Sequence, residues 1–128
     1  MRILIADDEQ DLVDALAAFV RERGHQVVAT VTTGGLDVIH AYARFQPDLV
    51  LMDIMMPKYN GLTACLALRS THPGAKVVFV SGKFNAEHPF VSNTGAVGFL
   101  AKPFDFSKLD AILESQAAHT HTHAAEAA

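Results

Sequence analysis

The sequence predicts an α/β fold: a doubly wound, five-stranded parallel sheet in three α/β/α layers, with the flavodoxin-like strand order 2-1-3-4-5. Five short apolar runs alternate with five longer segments, most of which repeat apolar residues at helical spacing. Acidic residues end the first and third runs, and those two strands flank the switch point of this strand order. We therefore expect a single crevice to collect the acidic side chains.

The composition is that of one globular domain, with 128 residues of which 50% are hydrophobic and 19% are charged. A net charge of −4 and a pI near 5.9 give no basic footprint for nucleic acid or an anionic membrane. The single cysteine, Cys65, excludes an internal disulfide and fits a reducing compartment. With neither a signal peptide nor a run of ~20 apolar residues, the chain is expected to be cytoplasmic, without membrane insertion or direct binding of nucleic acid.

The first strand is expected at Ile3–Ala6, a short β-branched run that Asp7 and Asp8 end. Adjacent acids repel each other, so this pair indicates a bound cation. A helix is expected from about residue 10 to residue 23, and its predicted inward stripe is Leu12, Ala15, Leu16 and Phe19. The second strand is expected at Val27–Val31.

The second helix is expected to begin after Thr33, whose hydroxyl can cap it, and to end before Pro47. One face of this helix is expected to carry Leu36, Ile39, His40 and Ala43. The third strand, Leu49–Asp53, is four apolar residues followed by one acid, which indicates a strand buried on both faces. The loop after it contains Met56-Pro57 and closes at Asn60-Gly61, where left-handed backbone is tolerated. A buried strand thus delivers one carboxylate to the rim of the sheet.

The third helix is marked by Leu62, Cys65 and Leu66, and it is broken at His72-Pro73-Gly74. Cys65 is interpreted as an inert thiol in the core. The helix after it, the fourth, is predicted to be unusually short. The fourth strand follows at Lys76–Val80 and ends at Ser81-Gly82. Residues 84–94 contain four poor helix formers: Asn85, Pro89, Ser92 and Asn93. We expect one or two helical turns starting at Pro89, where a missing N–H costs nothing.

The fifth strand is expected at Val97–Ala101, and Lys102-Pro103 ends it with an extended lysine and a candidate cis peptide bond. Asp105 is the predicted cap of the last helix, whose inward face is Phe106, Leu109, Ile112 and Leu113. The domain is expected to span residues 1–118, followed by a flexible His/Ala-rich tail at residues 119–128. The alternating histidines His119, His121 and His123 are interpreted as solvated, because they lack a further ligand at fixed spacing.

Five side chains converge at the carboxyl ends of the predicted strands: Asp7, Asp8, Asp53, Ser81 and Lys102. Carboxylate oxygens are the ligands that Mg²⁺ prefers, and a cluster of acids is costly without a cation. Lys102 can pair with Asp53 or with a phosphate oxygen, and Ser81 can donate a hydrogen bond. A carboxylate nucleophile is a known route to an aspartyl-phosphate, and phosphoryl transfer needs mainly positioning and charge neutralisation.

These motifs together resemble the receiver domain of two-component response regulators, over about residues 1–117. The resemblance is carried by Asp7-Asp8, by Asp53 with Met56-Pro57 and Gly61, by Ser81-Gly82, and by Lys102-Pro103-Phe104. It implies a phosphoryl-accepting switch similar to single-domain receivers of the chemotaxis or phosphorelay type. Its phosphate donor would be a sensor histidine kinase or a histidine phosphotransferase, its output an unknown downstream protein, and a homodimer is possible.

The resemblance also implies a role for each site residue. Asp53 is the implied phosphoacceptor, and Mg²⁺ is bound directly by Asp8 and Asp53, partly through water by Asp7, and by the backbone carbonyl of Met55. Ser81 matches the switch hydroxyl, Lys102 the family's lysine, and Phe99 the aromatic switch position, here without the hydroxyl of tyrosine. The implied activity is limited to the protein's own phosphorylation and dephosphorylation, so it is not expected to be an enzyme acting on another substrate.

Two alternatives stand beside this hypothesis. A pseudo-receiver would act as a protein-binding module without phosphorylation, although Asp8, Asp53 and Lys102 are all present. An enzyme or flavin carrier of the same topology is disfavoured, because the acids after the first strand would repel a flavin phosphate and no Asp-x-Asp phosphatase motif follows it. The sequence departs from the family at residues 83–94, where we expect an irregular or mobile output face and an unusual partner.

Overall fold

The computed structural model describes the backbone of residues 1–127 and the side chains of residues 1–119. One parallel sheet has the order β2-β1-β3-β4-β5, formed by β1 (Arg2–Ala6), β2 (Gln26–Val31), β3 (Leu49–Met52), β4 (Val77–Ser81) and β5 (Gly98–Ala101). The helices are α1 (Gln10–Glu22), α2 (Gly35–Phe45), α3 (Gly61–Thr71), α4 (Pro89–Ser92) and α5 (Phe106–Ala127). The predicted fold class and strand order are confirmed.

The sheet is buried on both faces, which explains why its central strands are continuously apolar. Alternate residues of each strand point to opposite layers, as Leu4 and Ile5 illustrate. One layer packs α2, α3 and α4 on the sheet through Val38, Tyr42, Ala64, Cys65, Leu68 and Val91. The other layer packs α1 and α5 through Val13, Leu16, Ala17, Val20, Leu109 and Leu113. The two layers leave the carboxyl ends of the strands open as one rim.

The faces expected from spacing in the first two helices match their buried faces only in part. In α1 the buried residues are Val13, Leu16, Ala17 and Val20, whereas Ala15 is exposed. In α2 the buried side chains are Val38 and Tyr42, whereas Leu36, His40 and Ala43 are exposed. Thr33 does not cap α2, because Gly34 occupies the cap position and the Thr33 hydroxyl instead donates to Asp37. In helices this rich in apolar residues, spacing alone leaves the rotation about the helix axis undetermined.

The later elements agree more closely with the sequence. The fourth helix is a single turn that starts at Pro89, as predicted, and the Lys102-Pro103 bond is cis. In α3 the buried residues include Cys65 and Leu68, but Leu66 is 52% exposed, and in α5 Phe106 is 38% exposed. Among the described residues, no helix is long and apolar enough to cross a bilayer.

The division into a domain at residues 1–118 and a flexible tail stays a prediction. The α5 backbone is helical through Ala127, and the exposed ring of His119 lies 3.0 Å from the Ser115 carbonyl oxygen. The side chains of His121 and His123 lie outside the described residues.

Candidate functional site

Backbone hydrogen bonds at the strand ends bring three of the predicted site residues to one rim. The Asp53 N–H donates to the Ala6 carbonyl at 2.9 Å, so Asp53 extends the pairing of β3 with β1 by one residue. The Lys102 N–H donates to the Ser81 carbonyl at 2.9 Å, which aligns the residue after β5 with the end of β4. The positions of Asp53 and Lys102 therefore follow directly from the sheet register.

The Lys102 ammonium is the centre of the site. Its Nζ lies 2.7 Å from Asp7 Oδ2, 3.1 Å from Asp53 Oδ2 and 3.8 Å from Glu9 Oε1. Burial alone would lower the pKa of this amine, but the hydrogen bonds to Asp7 and Asp53 outweigh burial, and the pKa is raised. Lys102 is therefore a firmly charged counter-ion for the buried acids.

Three carboxylates form a cluster suited to a divalent cation. Asp7, Asp8 and Asp53 each offer one oxygen, and these oxygens lie within 4.8 Å of one another. Asp7 and Asp53 are buried, at 1% and 5% exposure, whereas Asp8 is exposed to solvent. Burial raises the pKa of Asp7, although the hydrogen bonds from Lys102 and from the Glu9 N–H oppose it. All-oxygen donors that face solvent on one side fit Mg²⁺, which keeps several of its waters.

The loop between β3 and α3 holds Asp53 through close backbone contacts. The Met55 N–H donates to Asp53 Oδ1 at 3.2 Å, and the Gly61 N–H donates to the Ile54 carbonyl at 2.8 Å. A Cβ at Gly61 would lie 2.1 Å from the Asp53 carbonyl oxygen, so only glycine fits there. Met55 is 56% exposed, and its backbone N–H is in direct contact with the Asp53 carboxylate.

The sequence did not reveal a second support for this loop at the start of α2. The Gly35 N–H donates to the Tyr59 carbonyl at 2.8 Å, and a Cβ at Gly35 would lie 2.2 Å from that oxygen. A Cβ at Gly34 would lie 2.4 Å from the Pro57 carbonyl oxygen. Two adjacent glycines at the start of a helix are the sequence signal that could have indicated this close backbone approach.

Ser81 and Phe99 lie on neighbouring strands. Ser81 is 1% exposed at the end of β4, and its Oγ accepts a hydrogen bond from the Lys83 N–H at 3.1 Å. In the sheet register Ser81 pairs with Ala101, while Phe99 pairs with Phe79 two residues earlier. The Phe99 ring is half-buried against the α2–α4 layer and lines a cavity of about 230 Å³. Ser81 thus belongs to the rim, and Phe99 lies below it toward the surface of β5.

Sequence reasoning missed two further features beside Lys102. Glu9 is exposed, and its carboxylate lies 3.8 Å from the ammonium without having been predicted as part of the site. An apolar groove of about 390 Å³ also adjoins Lys102, lined by Leu12, Ala15, Pro103, Phe104 and Phe106. The exposed Ala15 and Phe106, which were predicted to point into the core, instead form the walls of this groove.

Comparison with known proteins agrees with this arrangement. Residues 3–114 match the family described as the response regulator receiver domain. The chain is 31% identical to the chemotaxis protein CheY of Thermotoga maritima over 109 residues, which are 84% of this chain and 90% of that protein. It is 30% identical to the transcriptional regulatory protein ZraR of Escherichia coli over 97% of this chain, but it spans only 28% of that larger protein.

Solved structures give the same result. CheY of Borrelia burgdorferi, in a complex described as CheX-CheY-BeF3-Mg, superposes with a TM-score of 0.82 at 25% identity, covering 90% of this chain and 87% of that one. The receiver domain of NtrX from Brucella abortus superposes with a TM-score of 0.78 at 29% identity, covering 89% and 96%. The family match, the fold and the acidic rim lead to one conclusion: the chain belongs to the response regulator receiver domains of two-component systems.

Proposed function

We propose that this protein is a phosphoryl-accepting switch in which the Asp53 carboxylate takes a phosphoryl group from a phosphohistidine. The observation that carries the proposal is the state of Asp53. It is 5% exposed, hydrogen-bonded to Lys102 at 3.1 Å and next to two further acids. A carboxylate at a strand end, with a fixed cation beside it, is a positioned nucleophile.

The residues around Asp53 supply the remaining needs of phosphoryl transfer. A carboxylate oxygen of Asp53 forms the new O–P bond while the P–N bond to the donor imidazole breaks, and the imidazole leaves with that electron pair. The Lys102 ammonium is in place to neutralise charge on a phosphoryl oxygen, and the Ser81 hydroxyl is available to donate a hydrogen bond to it. Phe99 is the proposed aromatic switch residue on β5.

Magnesium is the proposed cofactor. Asp7, Asp8 and Asp53 would hold it, together with the backbone carbonyl of Met55, and when bound it would neutralise charge between the acids and the phosphoryl oxygens. The relative from Borrelia burgdorferi is described with BeF3 and Mg, which supports the same pairing of ligands here. Glu9 lies one residue beyond this set and acts on Lys102 instead.

The proposed phosphate donor is a sensor histidine kinase or a histidine phosphotransferase, and the output is read by a downstream protein. The apolar groove beside Lys102 supports a protein donor, because it offers a docking surface next to the acceptor. The free, buried Cys65 and the net charge of −4 support action in a reducing cytoplasm without direct contact with nucleic acid.

Phosphorylation by a small donor tests the proposal. The full chain is incubated with acetyl phosphate and Mg²⁺, and its intact mass is measured with Asp53→Asn as control. We expect one acid-stable, base-labile phosphoryl group on the wild type and none on the variant. A wild-type mass that does not change with acetyl phosphate, or with a panel of phosphorylated histidine phosphotransferases, would return the protein to the pseudo-receiver class.

Magnesium binding is tested separately by thermal unfolding. Mg²⁺ relieves carboxylate repulsion only in the folded protein, so it should stabilise the fold by about 2.7 kcal/mol at a concentration of 100 Kd. Asp8→Asn should abolish this gain, and Asp11→Asn, which removes an exposed acid of α1 outside the cluster, should retain it. Equal melting temperatures with and without millimolar Mg²⁺ would count against the site.

A further inference from the structure

Glu9 follows the acidic pair of the rim and, in the described part of the chain, is the one exposed carboxylate that contacts the Lys102 ammonium. Its backbone is fixed, because its N–H donates to Asp7 Oδ1 at 2.9 Å and its carbonyl accepts the first hydrogen bonds of α1. Its side chain does not cap the helix. The fold therefore limits where the Glu9 carboxylate can reach but does not use it as a cap.

The Lys102 ammonium meets solvent on the side of Glu9. Two of its three protons are donated to Asp7 and Asp53, whose side chains are 1% and 7% exposed. The Glu9 side chain is 69% exposed, and its carboxylate lies 3.8 Å from Nζ, which is too long for a hydrogen bond and short enough for an ion pair. A phosphoryl oxygen that comes from solvent to pair with Lys102 therefore meets the negative charge of Glu9.

Glu9 decides the formal charge of the rim. The three acids of the cluster, Asp7, Asp8 and Asp53, carry −2 together with Lys102, and one bound Mg²⁺ would bring this to zero. Glu9 lies outside the carboxylates that could hold the metal, so its own charge stays. With Glu9 the rim carries −1 even when Mg²⁺ is bound, and it repels the phosphoryl group of a donor, which is itself negative.

The apolar groove beside the site makes this repulsion selective. Lys102 itself lines the groove together with Leu12 and Ala15 of α1, so a protein seated there has its own side chains next to Glu9. A small donor in solution brings only its phosphate. The same carboxylate therefore repels a small anionic donor and can pair with a basic side chain of a protein donor.

We propose that Glu9 is a specificity-determining residue that selects phosphate donors by charge: it disfavours small anionic donors and favours a protein donor with a basic side chain beside its phosphohistidine. The inference rests on the proposed function, because it concerns how Asp53 is phosphorylated. With acetyl phosphate, an Asp53 oxygen forms the O–P bond while the bond from phosphorus to the acetate oxygen breaks, and acetate leaves with that electron pair. With phosphoramidate the P–N bond breaks in the same way, and ammonia leaves.

Two small donors that differ in charge test the repulsion on the full chain with Mg²⁺, followed by intact mass. At neutral pH acetyl phosphate is a dianion, and phosphoramidate is a monoanion because its nitrogen is protonated. At low salt Glu9→Gln should speed phosphorylation about fivefold with acetyl phosphate and about twofold with phosphoramidate, since repulsion scales with the charge of the donor. Both gains should shrink at high salt. Glu9→Asp restores the charge and should restore most of the difference between the donors.

Glu22→Gln is the matched control, because it removes the same charge from an exposed position at the far end of α1 and should leave both rates unchanged. A second pair of donors tests the attraction: synthetic phosphohistidine peptides that carry either arginines or glutamates beside the phosphohistidine. The wild type should prefer the arginine peptide, and Glu9→Gln should reduce that preference at least about twofold. The BeF3 anion gives a readout without phosphoryl transfer. Glu9→Gln should lower the concentration of BeF3 that half-saturates its stabilisation of the fold by about twofold.

The outcomes separate this inference from the proposed function. A wild type that no donor phosphorylates would remove both. If the wild type is phosphorylated, charge selection alone is overturned when Glu9→Gln leaves both small-donor rates unchanged or changes them equally, or when Glu22→Gln changes them as much. It is also overturned when the wild type shows no preference for the arginine peptide, or when BeF3 binds the wild type and Glu9→Gln alike. Because Glu9 is exposed, its variants should keep the fold, which melting curves verify.

Discussion

The loops after β3 and after β4 both follow buried strands, but they differ in the contacts that hold them. Each follows a fully buried strand that ends at a polar residue of the rim, Asp53 or Ser81. The loop after β3 is fixed by Gly61, by the start of α2, and by the buried side chains of Ile54 and Met56.

Among the described residues, the hydrogen bonds of the loop after β4, residues 82–88, are made within the loop, to Ser81 and to the first residues of α4. Most of its side chains are exposed, and Phe84 adopts a left-handed backbone with φ of 66°. A left-handed phenylalanine costs about 1–2 kcal/mol. The difference teaches that the Asp53 carboxylate is held by contacts from several elements, whereas the segment after Ser81 is held mainly by its own residues and by the start of α4.

The largest expected effect comes from breaking the loop after β3. Gly61→Ala would push a methyl group to within 2.1 Å of the Asp53 carbonyl oxygen, which is backbone and cannot turn away. We expect a loss of about 3 kcal/mol or more in the free energy of unfolding, measured by urea titration. Gly74→Ala is the matched control, because nothing lies within 4 Å of its added Cβ. Equal stability of the two variants would contradict the close contact.

Hydrogen exchange compares the two loops directly. The amides of Asp53 and Gly61 donate to Ala6 and Ile54 within the fixed loop, whereas residues 83–93 belong to the exposed one. We expect the second set to open at a free energy about 2 kcal/mol lower, and so to exchange roughly 30-fold faster. Slow exchange throughout 85–93 would show that this segment is as firmly held as the loop after β3.

The pH dependence of stability examines the packing between α3 and α4. Cys65 is fully buried, and its Sγ lies 3.8 Å from the Thr94 carbonyl oxygen. Burial raises the pKa of this thiol above 9.0 in the folded protein. The buried, protonated thiol makes its full contribution to stability below pH 9.0. Above pH 9.0 that contribution is lost, because the unfolded chain releases a proton that the folded chain keeps.

The cysteine should therefore steepen the loss of stability above pH 9.0 by up to about 1.4 kcal/mol per pH unit. Cys65→Ala should lower stability at neutral pH through the cavity it leaves, and should flatten this alkaline slope when unfolding is measured at several pH values. An unchanged slope would mean that the folded thiol titrates normally.

The smallest effect comes from the helix caps. The Asn60 side chain accepts a hydrogen bond from the Thr63 N–H at 2.9 Å and caps the three turns of α3. His88 Nδ1 accepts a hydrogen bond from the Phe90 N–H at 3.2 Å and caps the single turn of α4. Asn60→Ala should cost about 1 kcal/mol and His88→Ala about half as much, by chemical denaturation. A larger cost for His88→Ala would show that its ring contacts with Phe84 and Phe90 hold the loop together.

The sequence predicted elements well where composition leaves little choice. Runs of apolar residues ended by Asp7 and Asp53 determine which strands are central, and Pro89 marks the start of α4 because proline suits the first helical position. The predicted face of α1 was wrong at Ala15 and that of α2 at Leu36, since both residues are apolar and satisfy the spacing as well as Val13 and Val38 do. Predicting Glu9 beside Lys102, or Gly35 against Tyr59, requires the distances between elements that sequence spacing does not contain.

Charge is distributed unevenly along the chain, and this affects how the molecule approaches others. Residues 54–101 carry +3 and the remainder −7, so the protein has an electric dipole in addition to its net charge of −4. In the field of a charged partner such a dipole exerts a torque that turns the molecule before contact, and one orientation is presented more often than chance allows. Ions at physiological concentration confine this alignment to about 8 Å of separation, the last step of an encounter.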